Sequence, residues 1–340
     1  MSRTSSHARC KSVTSIKTKR TTRTECCVTM SFKAATPDLP KHFTGKWNKK
    51  SYHVLRELGR GANGTVYLVS QGGVQRAVKV GVEGIDILME VNVLKSTQQG
   101  RDSKVGPLLC DVDDLVVNGK ACTFYAMEYL QGVQLDEYIK QQGTDWVAVM
   151  MVQLLARLDV LHQHGFIFGD LKPQNVMVTQ TDKQVRLIDF GGVTKLGNAV
   201  RQFTEEYDRA FWHAGDRRAE VSYDLFSTAV MMVRLTVGAE TWKNSLGDPR
   251  HTILLCDIIR KSDSLYPYRE PLLKAFHGKF ATAKEMRAEL LAVLRDSMSA
   301  KPQKPQKKAR TKGNAGAGIS GLFVASLLLL AGTLYYAWFM

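Results

Sequence analysis

Apolar positions alternate in short runs near the start of the chain and then recur at helical spacing. Val66-Tyr-Leu-Val69 and Ala77-Val-Lys-Val80 read as two strands separated by a turn at Gly72-Gly73, and Tyr52, Val54 and Leu58 lead into them. Ile85 to Thr97 carries apolar residues at 85, 88, 91 and 94, the spacing of one helical stripe. Asp145 to His164 is apolar nearly all round, which predicts a buried helix with Asp145 or Thr144 as N-cap and Gly165 as its stop. Tyr223 to Val237 predicts a second helix of this kind. The last 22 residues, Ile319 to Met340, contain no charge. At ~1.5 Å per residue they form about 33 Å of helix, enough to cross the ~30 Å hydrocarbon layer. Tyr335, Tyr336 and Trp338 would then sit at the far interface. A buried soluble helix is the rival, opposed by the length, the terminal position and the lack of a polar face.

Charge refines this picture. The 340 residues carry a net +15, but 12 of the Lys/Arg fall within residues 1–50 and six more, Lys301, Lys304, Lys307, Lys308, Arg310 and Lys312, precede the apolar end. The stretch between is nearly neutral, so attraction to polyanions belongs to the flanks. Within a basic, disordered tail at 1–44, residues 1–29 have three readings: disorder, an organellar targeting segment, or a stretch outside the protein because translation starts at Met30, of which the last is favoured. Residues 300–318 form a Pro/Gln/Lys linker leaning towards polyproline II. Its cations place the preceding domain on the cytoplasmic side of a membrane, and they can also attract anionic lipid or bind DNA non-specifically. The six cysteines show neither metal-ligand spacing nor a disulfide framework.

The chemistry lies in Phe166-Ile-Phe-Gly-Asp-Leu-Lys-Pro-Gln-Asn-Val-Met177, which puts Asp170, Lys172 and Asn175 within six residues, followed by Asp189-Phe-Gly191. Phosphoryl transfer from ATP needs this set: a carboxylate for the acceptor proton, a lysine for the moving phosphoryl group, and an amide and a carboxylate for Mg2+. Upstream, Gly59, Gly61 and Gly64 form G-x-G-x-x-G with Val66 two residues on, and Lys79 follows in Ala-Val-Lys. Glycines let a loop backbone fold over phosphates. A lone glycine pattern is a weak signal, but Lys79 and the downstream stretch strengthen it.

These motifs resemble the eukaryotic-type (Hanks) protein kinases over residues 45 to about 298. Gly45-Lys-Trp-Asn, Phe124-Tyr-Ala-Met-Glu-Tyr, Ser222-Tyr-Asp-Leu-Phe and the basic linker with its apolar end resemble, within that family, the sporulation-associated, membrane-anchored Ser/Thr kinases of spore-forming bacilli. The resemblance implies an α+β, bilobal kinase fold, with an N-lobe at 45–129, a C-lobe at 130–299 and a C-terminal transmembrane helix at 319–340. It implies ATP and Mg2+ as cofactors, protein Ser/Thr substrates, autophosphorylation, activation by DNA through the linker, and a bacterial plasma membrane with the kinase domain cytoplasmic. It assigns Asp170 as base, Lys172 to the γ-phosphate, Lys79 to the α/β-phosphates with Glu90 as its ion-pair partner, and Asn175 and Asp189 as metal ligands. The interval from Lys79 to Glu90 is shorter than in most kinases, and Glu83 is the alternative partner. Met127 takes the gatekeeper place, Glu128 to Leu130 the adenine-binding hinge, and Ala77 and Met177 the two sides of the base. Asp224 matches the buried aspartate that braces the catalytic loop, and His162 and His164 read as structural.

Two departures stand out. Gly169 occupies the position where most kinases carry arginine, so phosphate-driven ordering of the activation segment through that residue is excluded. No Ala-Pro-Glu follows Asp189; Thr204-Glu-Glu-Tyr-Asp-Arg-Ala-Phe-Trp212 stands in its place. These departures suggest one rival, a membrane-tethered pseudokinase scaffold; the other is a small-molecule phosphotransferase of kinase-like fold. Retention of Lys79, Asp170, Asn175 and Asp189 speaks against the first, and Lys172-Pro173 against the second. Thr194 and Thr204 are candidate autophosphorylation sites.

Overall fold

The early alternating runs form an antiparallel sheet. β1 (His42–Thr44), β2 (Ser51–Gly61), β3 (Gly64–Gln71) and β4 (Val74–Gly81) precede α1 (Gly84–Thr97), and β5 (Leu109–Val117) and β6 (Lys120–Glu128) follow it. Hydrogen bonding orders the strands β1-β2-β3-β4-β6-β5. Gly72 and Gly73 both adopt positive φ, 57° and 83°, which gives the β3–β4 hairpin the twist its strands need. Asn118 and Gly119, at 49° and 75°, do the same between β5 and β6. Phe43, Tyr52 and Phe124 pack ring against ring beneath this sheet, at centroid separations of 5.0–5.5 Å.

The structure is a computed structural model and describes residues 38–299 apart from 62, 82–83, 99–103 and 248. The tail before residue 38, Glu83, the basic linker and the span at 319–340 lie outside these residues. Among the described residues no helix is long and apolar enough to cross a membrane. The ordered domain starts earlier than residue 45, because β1 pairs His42, Phe43 and Thr44 with His53, Tyr52 and Ser51. Three residues carry too little periodicity to announce a strand, but burying Phe43 fixes this one.

α1 forms where the apolar stripe predicts it, with a different face turned inward. Ile87, Glu90, Val91 and Leu94 are buried, whereas Ile85 is 73 % and Leu88 50 % exposed. The helix rotates to aim Glu90 into the cleft, and the 85/88 edge of the predicted stripe goes to solvent.

The second lobe comprises β7 (Gly132–Gln134), α2 (Leu135–Gln142), α3 (Trp146–Gln163), β8 (Phe166–Ile167), β9 (Val176–Thr179), β10 (Val185–Leu187), β11 (Thr194–Lys195), α4 (Val221–Val237), α5 (Ala239–Ser245), α6 (Thr252–Lys261), α7 (Arg269–Phe276) and α8 (Ala283–Ser299). α3 lies at its centre against α4 and α8, with Met150, Leu154, Leu158 and Leu161 fully buried. Asp145 precedes α3 but makes no side-chain cap bond, and Gly165, at φ 82°, lets the chain leave its end. Small sheets β10-β9-β7 and β11-β8 line the side facing the first lobe and carry the loops bearing the polar motifs.

Candidate active site

Lys79 stands near the end of β4, opposite Val66 on β3 and Tyr125 on β6. Residues directly opposite in a ladder project from the same face, so register alone brings Lys79 and Tyr125 together. The Lys79 ammonium donates to both Glu90 oxygens, at 2.7 and 2.8 Å, and to Asp189 Oδ1 at 2.9 Å. Tyr125 donates its hydroxyl to Glu90 Oε2 at 2.7 Å. Lys79, Glu90 and Tyr125 are almost wholly buried. Burial pulls the Lys79 ammonium down, yet the two carboxylates outweigh it and hold it above the usual lysine range. Burial likewise pushes the Asp189 carboxyl up, and Lys79 nonetheless holds it below the usual range. Burial pushes the Tyr125 phenol well up, with the Glu90 charge adding to it, so this hydroxyl stays a donor.

β8 delivers the catalytic loop, and a 3-10 turn at Pro173–Asn175 closes it. Lys172 Nζ donates to Asp170 Oδ2 at 2.7 Å and lies 3.3 Å from the Thr204 hydroxyl, which donates to Asp170 Oδ1 at 2.7 Å. Asn175 Nδ2 donates to the Asp170 carbonyl at 2.8 Å. Behind this loop Asp224, in the first turn of α4 and fully buried, accepts Phe168 N at 2.7 Å, Gly169 N at 3.0 Å and His162 Nε2 at 2.9 Å. His162 is thus a buried support.

Gly169 adopts φ 81°, and a Cβ there would lie 2.7 Å from the Gly192 carbonyl oxygen. A left-handed conformation costs other residues about 1–2 kcal/mol, and this contact leaves no slack. The glycine at this place is therefore demanded by the backbone. Gly169→Ala is expected to lower the unfolding midpoint by about 2–8 °C, measured by circular dichroism; an unchanged midpoint would contradict the geometry.

Asp189 takes φ 62°, an uncommon angle for a non-glycine residue of the kind that concentrates at functional sites. Phe190 anchors the turn, buried edge-on against Phe168 at 5.8 Å. Asp189 commits one oxygen to Lys79, and Asn175 commits its NH2 to the loop. That leaves the Asn175 carbonyl oxygen without a partner among the described residues, and the Asp189 carboxylate, which also takes the Gly191 N–H, keeps lone pairs to spare. Two hard oxygens suit Mg2+, which takes few protein ligands and completes its shell with phosphate and water. No group of three or more His, Cys, Asp or Glu able to hold a metal occurs among the described residues. The donor set therefore fits an ion that arrives with a nucleotide.

The nucleotide-side positions fall around the same cleft. Gly61 and Gly64 close the β2–β3 turn as a cross-strand pair, Gly59 pairs with Val66, and a Cβ at Gly64 would lie 2.2 Å from the Val80 carbonyl oxygen. Ala77 pairs with Met127 at the end of β6, Glu128 donates its N–H to the Leu108 carbonyl, and buried Leu130 follows. Met177 lies on β9 opposite Gln134 and Arg186.

The segment standing where Ala-Pro-Glu was expected is anchored by other means. Glu206 accepts from Arg234 and Trp242 Nε1; buried Asp208 takes Arg217 at 2.7 Å and the Tyr223 hydroxyl at 2.8 Å. Arg209 reaches Asp216, Glu220 and Ser222. Neither threonine offered as a phosphate acceptor has a free hydroxyl. Thr194 is buried and donates to the Gly192 carbonyl, and Thr204 is held by Asp170 and Lys172. Sequence reasoning missed Tyr125 and this placement of Thr204. The register opposite Lys79 could have signalled the first; nothing local signals the second, which lies 34 residues from Asp170.

Residues 52–304 match the protein kinase domain family. The chain is 37 % identical over 317 residues to the serine/threonine-protein kinase YabT of Bacillus subtilis (strain 168), covering 86 % of this chain and 92 % of that one. It is 26 % identical over 216 residues to the probable serine/threonine-protein kinase PknB of Lactococcus lactis, covering 57 % of this chain but only 32 % of that one. Among solved structures, vaccinia related kinase 3 superposes with a TM-score of 0.58 at 16 % identity, covering 78 % of this chain and 95 % of its own, a likeness of fold.

Proposed function

The chain belongs to the protein kinase family and is a Ser/Thr protein kinase, and from that premise we propose that it works with Mg2+-ATP at the cytoplasmic face of a plasma membrane, phosphorylates itself as well as other proteins, responds to DNA through its basic linker and serves sporulation. The family uses ATP and a divalent metal. The observation that carries the catalytic part is the pair of linked clusters, Glu90–Lys79–Asp189 and Lys172–Asp170–Thr204.

In this reading the buried Lys79 ammonium, oriented by Glu90 and Tyr125, holds the α/β-phosphates beneath the glycine turn. Asn175 and Asp189 would hold Mg2+, which would supply positive charge against the phosphates. The hinge at Glu128–Leu130 offers backbone groups to adenine, between Ala77 and Met177. Asp170 accepts the proton of the acceptor hydroxyl as its oxygen bonds to the γ-phosphorus and the β–γ bridging bond breaks. Lys172 faces the transferring group.

The 22-residue uncharged end and the six cations before it support the membrane part, and the same cations support DNA binding without sequence preference. The sporulation role rests on resemblance to the membrane-anchored kinases of spore-forming bacilli. A pseudokinase scaffold is disfavoured because Gly169 is a backbone requirement and the region lacking Ala-Pro-Glu has its own anchors.

One assay addresses these points. The purified chain with labelled ATP, MgCl2 and a generic protein is expected to yield phosphoserine and phosphothreonine, with EDTA abolishing transfer. Duplex DNA is expected to raise the rate at low salt and to lose that effect as salt rises. Absence of transfer to protein would remove the kinase assignment, and a rate indifferent to DNA would remove the activator role. Removal of residues 319–340 is expected to shift the chain from the membrane to the soluble fraction; an unchanged distribution would remove the anchor.

A further inference from the structure

Asp86 and Glu90 stand one turn apart on α1, so their carboxylates leave the helix on the same side. Glu90 meets Lys79. Asp86 Oδ1 accepts Arg201 Nη2 at 2.6 Å, and Arg201 Nη1 lies 2.9 Å from Met89 Sδ. The next residue, Gln202, donates to Asn63 Oδ1 in the glycine turn at 2.9 Å, and Thr204 donates to Asp170. Three side chains within four residues thus reach the helix, the phosphate-binding turn and the catalytic loop. The backbone beneath them is tied down by Val200 N to the Arg217 carbonyl at 2.8 Å and by the Ala199–Arg218 bridge. Gly169 supplies no cation to receive a phosphorylated activation segment, and Arg201 brings one to α1 directly.

We propose that Arg201 is a positioning residue that holds α1 through Asp86, so that the Glu90–Lys79 pair and the whole site assemble without phosphate on the activation segment. The proposal rests on the kinase reading and adds how that site is switched into place. An ion pair this exposed shifts a helix-in, helix-out equilibrium by about two- to fivefold, and salt weakens it.

The test uses the purified full chain, treated with phosphatase until mass spectrometry finds no phosphate, and measures kcat on a protein acceptor at low and high salt. Arg201→Ala and Asp86→Ala are each expected to lower kcat about two- to fivefold, with unfolding midpoints close to wild type. The double variant should be no slower than either single one, and only wild type should lose rate with salt. Dephosphorylated wild type should keep its activity. An Arg201→Ala kcat equal to wild type, losses that multiply in the double variant, or a wild type silenced by phosphatase would each overturn the proposal. A wild type that transfers no phosphate before phosphatase treatment would instead overturn the kinase reading.

Discussion

Asp170→Asn is expected to lower kcat by about 10²–10⁴-fold while leaving the fold and ATP affinity near wild type. Asp170 Oδ1 accepts the Thr204 hydroxyl and Oδ2 accepts Lys172, so the carboxylate is held by two donors at 2.7 Å each. An amide of the same shape can fill the place but cannot take a proton from an acceptor hydroxyl. Its oxygen can still accept Lys172 while its NH2 donates to the Thr204 hydroxyl, which rotates to accept, so the loop keeps its contacts. Steady-state transfer to a protein acceptor, with ATP affinity followed separately by nucleotide fluorescence, checks this. A kcat within tenfold of wild type would mean that Asp170 only shapes the loop.

The candidate site was legible because the residues assigned to it lie in short, ordered motifs. Asp170, Lys172 and Asn175 fall on one loop, and Lys79 sits two residues beyond Ala77 on a strand whose alternation is plain. Asp189 was equally readable from its Phe-Gly neighbours. The supporting contacts were less legible because they arise from pairing over long sequence distances. Tyr125 meets Glu90 only once β6 has registered against β4, and Thr204 meets Asp170 only once the activation segment has folded back.

One fold-level reading fell short, and one element went unread, for a related reason. The stripe at 85, 88, 91 and 94 gave a helix but not its inward face, because a single ion pair decides the rotation: Glu90 has to reach Lys79. The β5–β6 hairpin carried its signal in Asn118-Gly119, the dipeptide that best tolerates two positive φ angles, but its flanking strand mixes aspartates with apolar residues and masks the alternation. Those aspartates find their partners far back along the chain. Asp111 takes Tyr52 and Asn48, and Asp113 takes the backbone N–H groups of Trp47 and Asn48.

Asp224→Asn should damage stability and rate together, because this side chain is where α4 grips the catalytic loop. One carboxylate, fully buried, accepts two consecutive backbone N–H groups and an imidazole N–H. An asparagine keeps one acceptor oxygen and turns an NH2 towards donors, leaving at least one buried N–H unpaired. Each such loss costs about 1–3 kcal/mol, and for a domain of this size ~2–4 °C of unfolding midpoint accompanies each kcal/mol. The expected fall is therefore about 2–12 °C. The freed backbone is that of Phe168 and Gly169, immediately before Asp170, and a displacement of ~1 Å there is enough for about a 10²-fold loss in kcat. Hydrogen exchange provides a readout that general destabilisation does not: the Phe168 and Gly169 amides should exchange faster at temperatures where α3 remains protected. A variant with wild-type midpoint, wild-type kcat and unchanged exchange at those two amides would show that the loop holds its shape without the buried carboxylate.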